Sequence, residues 1–158
     1  MEIRELHQDE LWTCRVFGED FHAEKAIPDE FSLDAFVTNW KNFYRLNIGV
    51  IFGLWDDDGV LIGGAGGILA HDLTSGKLKM NELFWYVDKA KRHTTGRWPL
   101  RCITRLREWG KEREATGFRM VRLITQGETP KDAMLDRLYT DVLKMKPIDL
   151  GYEGPIGV

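Results

Sequence analysis

Asn81-Glu82-Leu83-Phe84-Trp85-Tyr86-Val87-Asp88-Lys89-Ala90-Lys91-Arg92-His93-Thr94-Thr95-Gly96-Arg97-Trp98-Pro99-Leu100 is the stretch whose reading settles the rest of the chain. An aromatic run ending in Val87-Asp88 reads as a strand, Lys89 to Arg97 as a short basic turn, and Pro99 suits the first turn of a long helix over 98–116. A strand–turn–helix of this kind brings successive backbone N–H groups and a helix N-terminus to one point. Phosphate oxygens are stabilised there by hydrogen bonds and by the helix dipole. Arg92 and Arg97 would add charge-assisted contacts.

Working upstream, the strand over Lys79 to Val87 follows two other strand-like runs. Ile48-Gly49-Val50-Ile51-Phe52-Gly53-Leu54-Trp55 is apolar and β-branched, Asp58-Gly59 is a strong hairpin signal, and Val60 to Leu69 returns toward the turn residues Asp72-Leu73-Thr74-Ser75-Gly76. Three antiparallel strands in a meander are the simplest account. Before them, Ser32 is an N-cap candidate for a helix carrying Phe36, Val37, Trp40, Phe43 and Tyr44 at three- and four-residue spacing. Pro28 separates that helix from one expected over Asp9 to Phe17, and residues 2–6 suit a first strand.

Downstream, the helix over 98–116 carries Cys102, Ile103, Leu106, Trp109 and Gly110 on one stripe, with Gly117 suited to its end. Phe118 to Thr125 reads as a buried strand, Pro130 to Leu143 as a helix with Ala133, Met134, Leu138 and Val142, and Ile148 to Ile156 as a last strand. The expected fold is α/β (α+β), in the order β-α-α-β-β-β-α-β-α-β, with residues 1–158 as a single domain. The strand, helix and strand between 79 and 125 form a crossover unit, which places a central parallel pair in an otherwise antiparallel sheet.

Composition agrees with one core: 158 residues, 43% hydrophobic and 30% charged. The net charge of −3 conceals an opposition. Residues 1–60 hold 13 acidic and 5 basic side chains, a balance of −8, and residues 61–158 hold 12 acidic and 17 basic, a balance of +5. Lys89, Lys91, Arg92, Arg97, Arg101, Arg105 and Arg107 follow one another with no acidic residue between them. Such a block is either a solvated helix face or a site for a compact anion. Overall acidity argues against a nucleic-acid surface.

Several chemistries lack their motif. GxGxxG beginning at Gly64 would need glycine where Leu69 stands, so Gly63-Gly64-Ala65-Gly66-Gly67 reads as strand glycines. Asp56-Asp57-Asp58-Gly59 lacks calcium-loop spacing and reads as a turn, and His7, His22, His71 and His93 show no paired-ligand spacing. Cys14 and Cys102 form no CxxC pair. There is neither a GxSxG elbow nor a Walker sequence, so no hydrolase, NTPase or metal site is expected. The charged start Met1-Glu2-Ile3-Arg4-Glu5-Leu6, and the lack of any run near about 18 apolar residues, lead us to expect a soluble, cytoplasmic protein without a membrane segment.

The quoted stretch, with the helices before the meander and the crossover after it, resembles the GCN5-related N-acetyltransferase (GNAT) family across essentially the whole chain. Val87-Asp88 followed by Arg92 resembles that family's V-D-P-x-x-R. The strand Glu82-Leu83-Phe84-Trp85-Tyr86-Val87 resembles its fourth strand in a bacterial and phage-borne subset. Leu138-Tyr139, with Met145-Lys146-Pro147-Ile148 after it, is similar to its L-Y-x-x-x-G-F segment, though the Gly-Phe itself is replaced by Lys144-Met145. The resemblance implies an acetyl-CoA-dependent N-acetyltransferase in which the basic turn holds the pyrophosphate through a Q/R-x-x-G-x-G/A pattern. Two registers stay open. Starting at Arg92 puts Thr95 and Arg97 at the glycine positions, whereas starting at His93 puts Gly96 at the first and Trp98 at the last.

By the same resemblance, Arg92, His93, Thr94, Thr95, Gly96 and Arg97 contact the pyrophosphate, and Tyr86 and Val87 offer backbone groups to the pantetheine arm. Glu82 is the general base, often acting through water, and Tyr139 protonates the departing sulfur. Glu82 serves equally as an ion-pair partner in a strand, and Tyr139 equally as a core residue on a stripe with Leu135, Leu138 and Val142. The acceptor is an amine, of a small molecule or a protein, meeting the donor between the early helices and the sheet. Glu19, Asp20, Glu24, Asp29 and Glu30 there would favour a cationic one. The competing readings are a GNAT-like interaction module without catalysis and, less favoured, nucleic-acid binding through residues 89–107. Six tryptophans leave room for a homodimer interface.

Overall fold

The computed structural model describes residues 1–25, 30–120 and 136–146. They fall into two compact units, Met1–Leu123 and Ile124–Val158. In the first unit β1 (Glu2–Glu5), β2 (Gly49–Trp55), β3 (Leu61–His71), β4 (Leu78–Val87) and β5 (Phe118–Arg119) form one sheet in that order. The first four are antiparallel, and β5 is parallel to β4, pairing Met80 with Phe118 and Asn81 with Arg119. The expected meander and parallel pair are therefore present. The expected last strand, 148–156, and most of the expected strand and helix over 121–135 lie outside the described residues.

The hairpin between β2 and β3 forms where Asp58-Gly59 predicts it. The Asp56 carboxylate accepts from the Asp58 and Val60 N–H groups, and Gly59 takes φ +74°. Helix α2 (Leu33–Arg45) begins at Ser32, whose hydroxyl accepts from the Ala35 N–H at 3.3 Å. Tyr44 near its end donates to the Leu6 carbonyl at 2.7 Å and accepts from the Ile51 N–H at 3.1 Å, tying α2 to β2 and the chain after β1.

Two boundaries differ from expectation. The first helix does not span Asp9 to Phe17. A 3-10 segment, Gln8–Cys14, leads into α1 (Arg15–Lys25), which runs a further two turns. Glu10 fixes the tight segment by accepting from the His7 N–H and from Arg4, while Phe17 and Phe21, four apart, carry the buried stripe onward. Helix α3 (Trp98–Glu112) ends four residues earlier than 116, and Glu114, not Gly117, takes the left-handed position at φ +63°. The Glu114 and Ala115 N–H groups donate back to Lys111 and Gly110, a Schellman closure. Gly117 instead serves the sheet, its carbonyl accepting from the Met80 N–H.

The core has two layers. Leu6, Leu11, Cys14, Phe17, Val37, Trp40, Ile51 and Tyr86 pack between the sheet and the helices α1 and α2. On the other face Cys102, Ile103, Leu106 and Trp109 of α3 are buried over Val50, Phe52 and Met80. The β3 glycines are strand glycines, as read: a Cβ on Gly66 would lie 2.4 Å from Phe84 and 2.9 Å from Trp40, so the rings rest on bare backbone.

Candidate active site

The site is organised by a bulge in β4. Gly66 pairs with Phe84 and Gly67 with Glu82, so Leu83 is the extra residue. Side chains beyond it therefore change face. Glu82 lies opposite Gly67, whose Cβ direction meets Leu106 of α3, whereas Phe84 lies opposite Gly66 and meets Trp40 of α2. Among the described residues β4 is paired on its β5 side only at Met80 and Asn81, so the stretch from Glu82 to Val87 is bordered by β3 alone. Such a stretch can present backbone donors and acceptors to an extended ligand.

On the α1/α2 side this stretch closes a cavity of about 210 Å³. Leu83, Phe84 and Tyr86 form its floor, α1 contributes Phe17, Gly18, Phe21 and His22 with Cys14 just before them, and Phe31, Phe36 and Trp40 cover it. None of Glu19, Asp20, Glu24 or Glu30 is in its wall, and Asp29 lies outside the described residues. Glu19 instead pairs with Arg15 at 2.8 Å. Burial pushes the Cys14 thiol up to about 12, and burial with the nearby Asp20 charge holds the Tyr86 phenol above its ordinary value. Both groups are neutral at neutral pH. The aromatic density of α1 and α2 was the available signal for this cavity, but in sequence it read as core.

At the C-terminal end of β4 the basic stretch folds into consecutive turns. Lys91 N–H donates to Asp88 O, Thr94 N–H to Lys91 O and Trp98 N–H to Thr95 O. Thr95, only 1% exposed, donates its hydroxyl to Arg92 O at 3.0 Å and is an anchor of the turn. Gly96, at φ +53°, is the one left-handed residue between Asp88 and α3. Among the described residues the N–H groups of Arg92, His93, Thr95, Gly96 and Arg97 donate to no protein group, and α3 begins at Arg97 without a side-chain cap. This concentration of free donors beside a helix N-terminus suits phosphate oxygens.

Arg92 is engaged differently from expectation. Its Nε–H donates to Val87 O at 2.9 Å, and its Nη1 and Nη2 donate to both Glu24 oxygens at 2.8 and 2.5 Å. Its guanidinium carbon lies 5.2 Å from the Tyr86 ring centre. Arg92 thus ties the turn to the end of α1, and Glu24 raises its pKa. His93, Thr94 and Arg97 are exposed, and Tyr86 and Val87 are buried. Glu82 is 4% exposed, on the α3 face of β4 and across the sheet from the cavity. Tyr139 belongs to the second unit, in a π-helical turn (Leu138–Val142), where its carbonyl accepts from the Met145 N–H at 2.9 Å.

No protein-family model and no curated protein matches the sequence. Solved structures match the fold. A predicted acetyltransferase from Clostridium acetobutylicum, determined with acetyl-CoA, superposes with a TM-score of 0.76 at 13% identity, over 98% of this chain and 96% of its own. The fold is the GNAT acetyltransferase fold. Glucosamine-6-phosphate N-acetyltransferase from Arabidopsis thaliana gives a TM-score of 0.68 at 9% identity, covering 98% of this chain and 97% of that one. An aminoglycoside acetyltransferase from an uncultured soil metagenomic sample, in complex with sisomicin, gives 0.68 at 13%, over 98% and 95%. In GNAT terms the bulged β4, the turn after it and α3 lie where the sequence places them. Among the described residues no cluster of His, Cys, Asp and Glu could hold a metal ion, and no helix is long and apolar enough to cross a membrane.

Proposed function

We propose that the chain is a single-domain N-acetyltransferase that moves an acetyl group from acetyl-CoA to a primary amine. The observation that carries the reading is the set of free N–H donors at Arg92, His93, Thr95, Gly96 and Arg97 where β4 hands over to α3. Gly96 as the left-handed residue favours the register starting at His93, with the pyrophosphate held by backbone more than by side chains. In this reading Arg92 organises the turn through Val87 O and Glu24, and Thr95 locks it from beneath. Backbone groups of Tyr86 and Val87, on the stretch of β4 without a described neighbour on its β5 side, would hold the pantetheine arm. The match of acetyl-CoA-bound and amine-bound neighbours over nearly the whole chain supports the same donor and a small-molecule amine acceptor.

Bound acetyl-CoA supplies an activated acetyl thioester. An N–C bond forms to the acetyl carbonyl carbon as the C–S bond breaks, and the proton shed by the amine balances the one taken up by the sulfur. By the family resemblance Glu82 would take the amine's proton through water, a role that does not follow from its placement on the α3 face of β4, across the sheet from the cavity. By the family resemblance Tyr139 would supply a proton at the sulfur. The test is thermal unfolding with and without acetyl-CoA, followed by thiol release over an amine panel. A rise in Tm with acetyl-CoA and amine-dependent thiol release are expected. Tyr139→Phe should lower turnover more than coenzyme affinity. The competing reading, a module that no longer catalyses, draws on the commitment of Arg92 to Glu24, and it requires no Tm shift at millimolar acetyl-CoA.

A further inference from the structure

The cavity under α1 and α2 says more about the acceptor than the acidic residues near it do. From Tyr86, ring contacts run to Phe21, His22, Phe31, Phe36 and Phe84 in succession, with centroids 6.2, 6.3, 5.4, 5.8 and 6.1 Å apart. Phe84 and Tyr86 stand two apart on the same face of β4, at the two ends of this run of rings. The space beside them, about 210 Å³, has no Asp, Glu, Lys or Arg among the described residues of its wall. A dry apolar cavity of about 150 Å³ is enough to take up benzene. Aromatic walls favour edge and offset contacts with another ring. An ammonium-rich acceptor placed here would lose its hydration without gaining a carboxylate from the described residues of the wall, which is unfavourable.

Leu83 connects this space to the reacting end. It lines the cavity, it is the bulge residue, and it stands at the start of the β4 stretch that, among the described residues, is bordered by β3 alone. A ring seated among the aromatic walls would leave a short arm directed toward that stretch. Asp20, whose charge acts on the Tyr86 phenol, lies outside the wall. We propose that the acceptor is a small primary amine joined by a short aliphatic arm to one aromatic ring, whose ring fills the space lined by the rings from Tyr86 to Phe84. This rests on the acetyltransferase reading for the transfer itself, but the ring site can be measured without it.

Two measurements on the full chain keep the readings apart. With acetyl-CoA saturating, kcat/KM is compared for 2-phenylethylamine, butylamine and spermidine. Binding of 2-phenylethylamine to the chain alone is followed by calorimetry. Burial of one ring should favour 2-phenylethylamine over butylamine by on the order of 30-fold, with spermidine below both. Phe36→Leu, which keeps an apolar side chain but removes one of the rings, should lower that preference several-fold, and Phe84→Leu serves the same purpose if Phe36→Leu does not fold. Equal or better turnover of butylamine or spermidine overturns the substrate class and leaves the acetyltransferase reading standing. Saturable binding of 2-phenylethylamine without turnover of any amine supports the ring site and removes the acetyltransferase reading. Absence of both binding and turnover overturns the proposal.

Discussion

The cavity under α1 and α2 and the turn between β4 and α3 share Tyr86 and Arg92 as neighbours, yet they are built from different parts of the chain. The cavity wall is side chain, ring against ring, with burial high enough to hold a thiol neutral. The turn is backbone: its donors are N–H groups, while His93, Thr94 and Arg97 point to solvent. A side-chain site changes when residues change identity. A backbone site tolerates exchange of its residues and changes only when φ and ψ do. The two regions should therefore respond to mutation and to pH in opposite ways.

The largest expected effect is on the two buried thiols, Cys14 beside the cavity and Cys102 of α3. Burial raises both Cys14 and Cys102 to about 12. Against an ordinary thiol near 8.5, that lowers the thiolate fraction at pH 8 by on the order of 1000-fold. Alkylation of the folded chain by iodoacetamide should be slower than that of the urea-unfolded chain by at least this factor. Because the folded state holds these protons when the unfolded chain has released them, stability should fall as pH rises from about 9 toward 12, and urea midpoints between pH 8 and 10 will show the slope. Cys14→Ala with Cys102→Ala should flatten it. Rapid modification of Cys14 in the folded chain would mean that water fills the cavity.

On the turn side the sharpest test is Gly96. A β-branched side chain at φ +53° is strained by about 1–3 kcal/mol, so Gly96→Val should weaken acetyl-CoA binding by about tenfold or more in calorimetry. His93→Ala and Thr94→Ala should leave the affinity within about twofold. The reverse ranking would show that side chains hold the phosphates. Thr95→Val lies between the two regions in effect. It removes the buried hydroxyl that donates to Arg92 O, and loss of that partner should lower stability by about 1–2 kcal/mol, a fall in Tm of about 3–6 °C.

What sequence could and could not say about these two regions follows from the same distinction. The Asp58-Gly59 turn, the Ser32 cap and the α3 stripe rest on local chemistry and appear where read. The β4 bulge leaves no such mark, because Leu83 sits inside an unbroken apolar run and only the pairing with β3 singles it out. Yet that one residue decides that Glu82 and Phe84 face opposite ways. The short turn between β4 and α3 was legible from its position and charge, while the two registers open in sequence differ in whether Gly96, the one residue there with a positive φ, stands at a glycine position. Arg92 was legible as a residue of the turn, but its partner Glu24 is 68 positions away and reaches it only because α1 extends past Phe17. The cavity was hidden because rings that enclose space and rings that fill it have the same spacing in sequence.

The Arg92–Glu24 pair joins the two regions, and it gives the smallest and most discriminating effect. Both side chains are about one-third exposed or more, at 40% and 32%, so the pair itself contributes less than about 1 kcal/mol and Glu24→Gln should barely move the Tm. Its influence on the coenzyme depends on which region owns Arg92. If the guanidinium shapes the turn mainly through Val87 O, Glu24→Gln keeps that bond and removes a negative charge beside the free N–H donors. Acetyl-CoA should then bind about two- to threefold more tightly at low ionic strength, and the gain should vanish near about 0.5 M salt. Weaker binding in Glu24→Gln, independent of salt, would instead show that the pair holds the turn in shape. The backbone donors would then depend on the end of α1, and the two regions could not be varied separately.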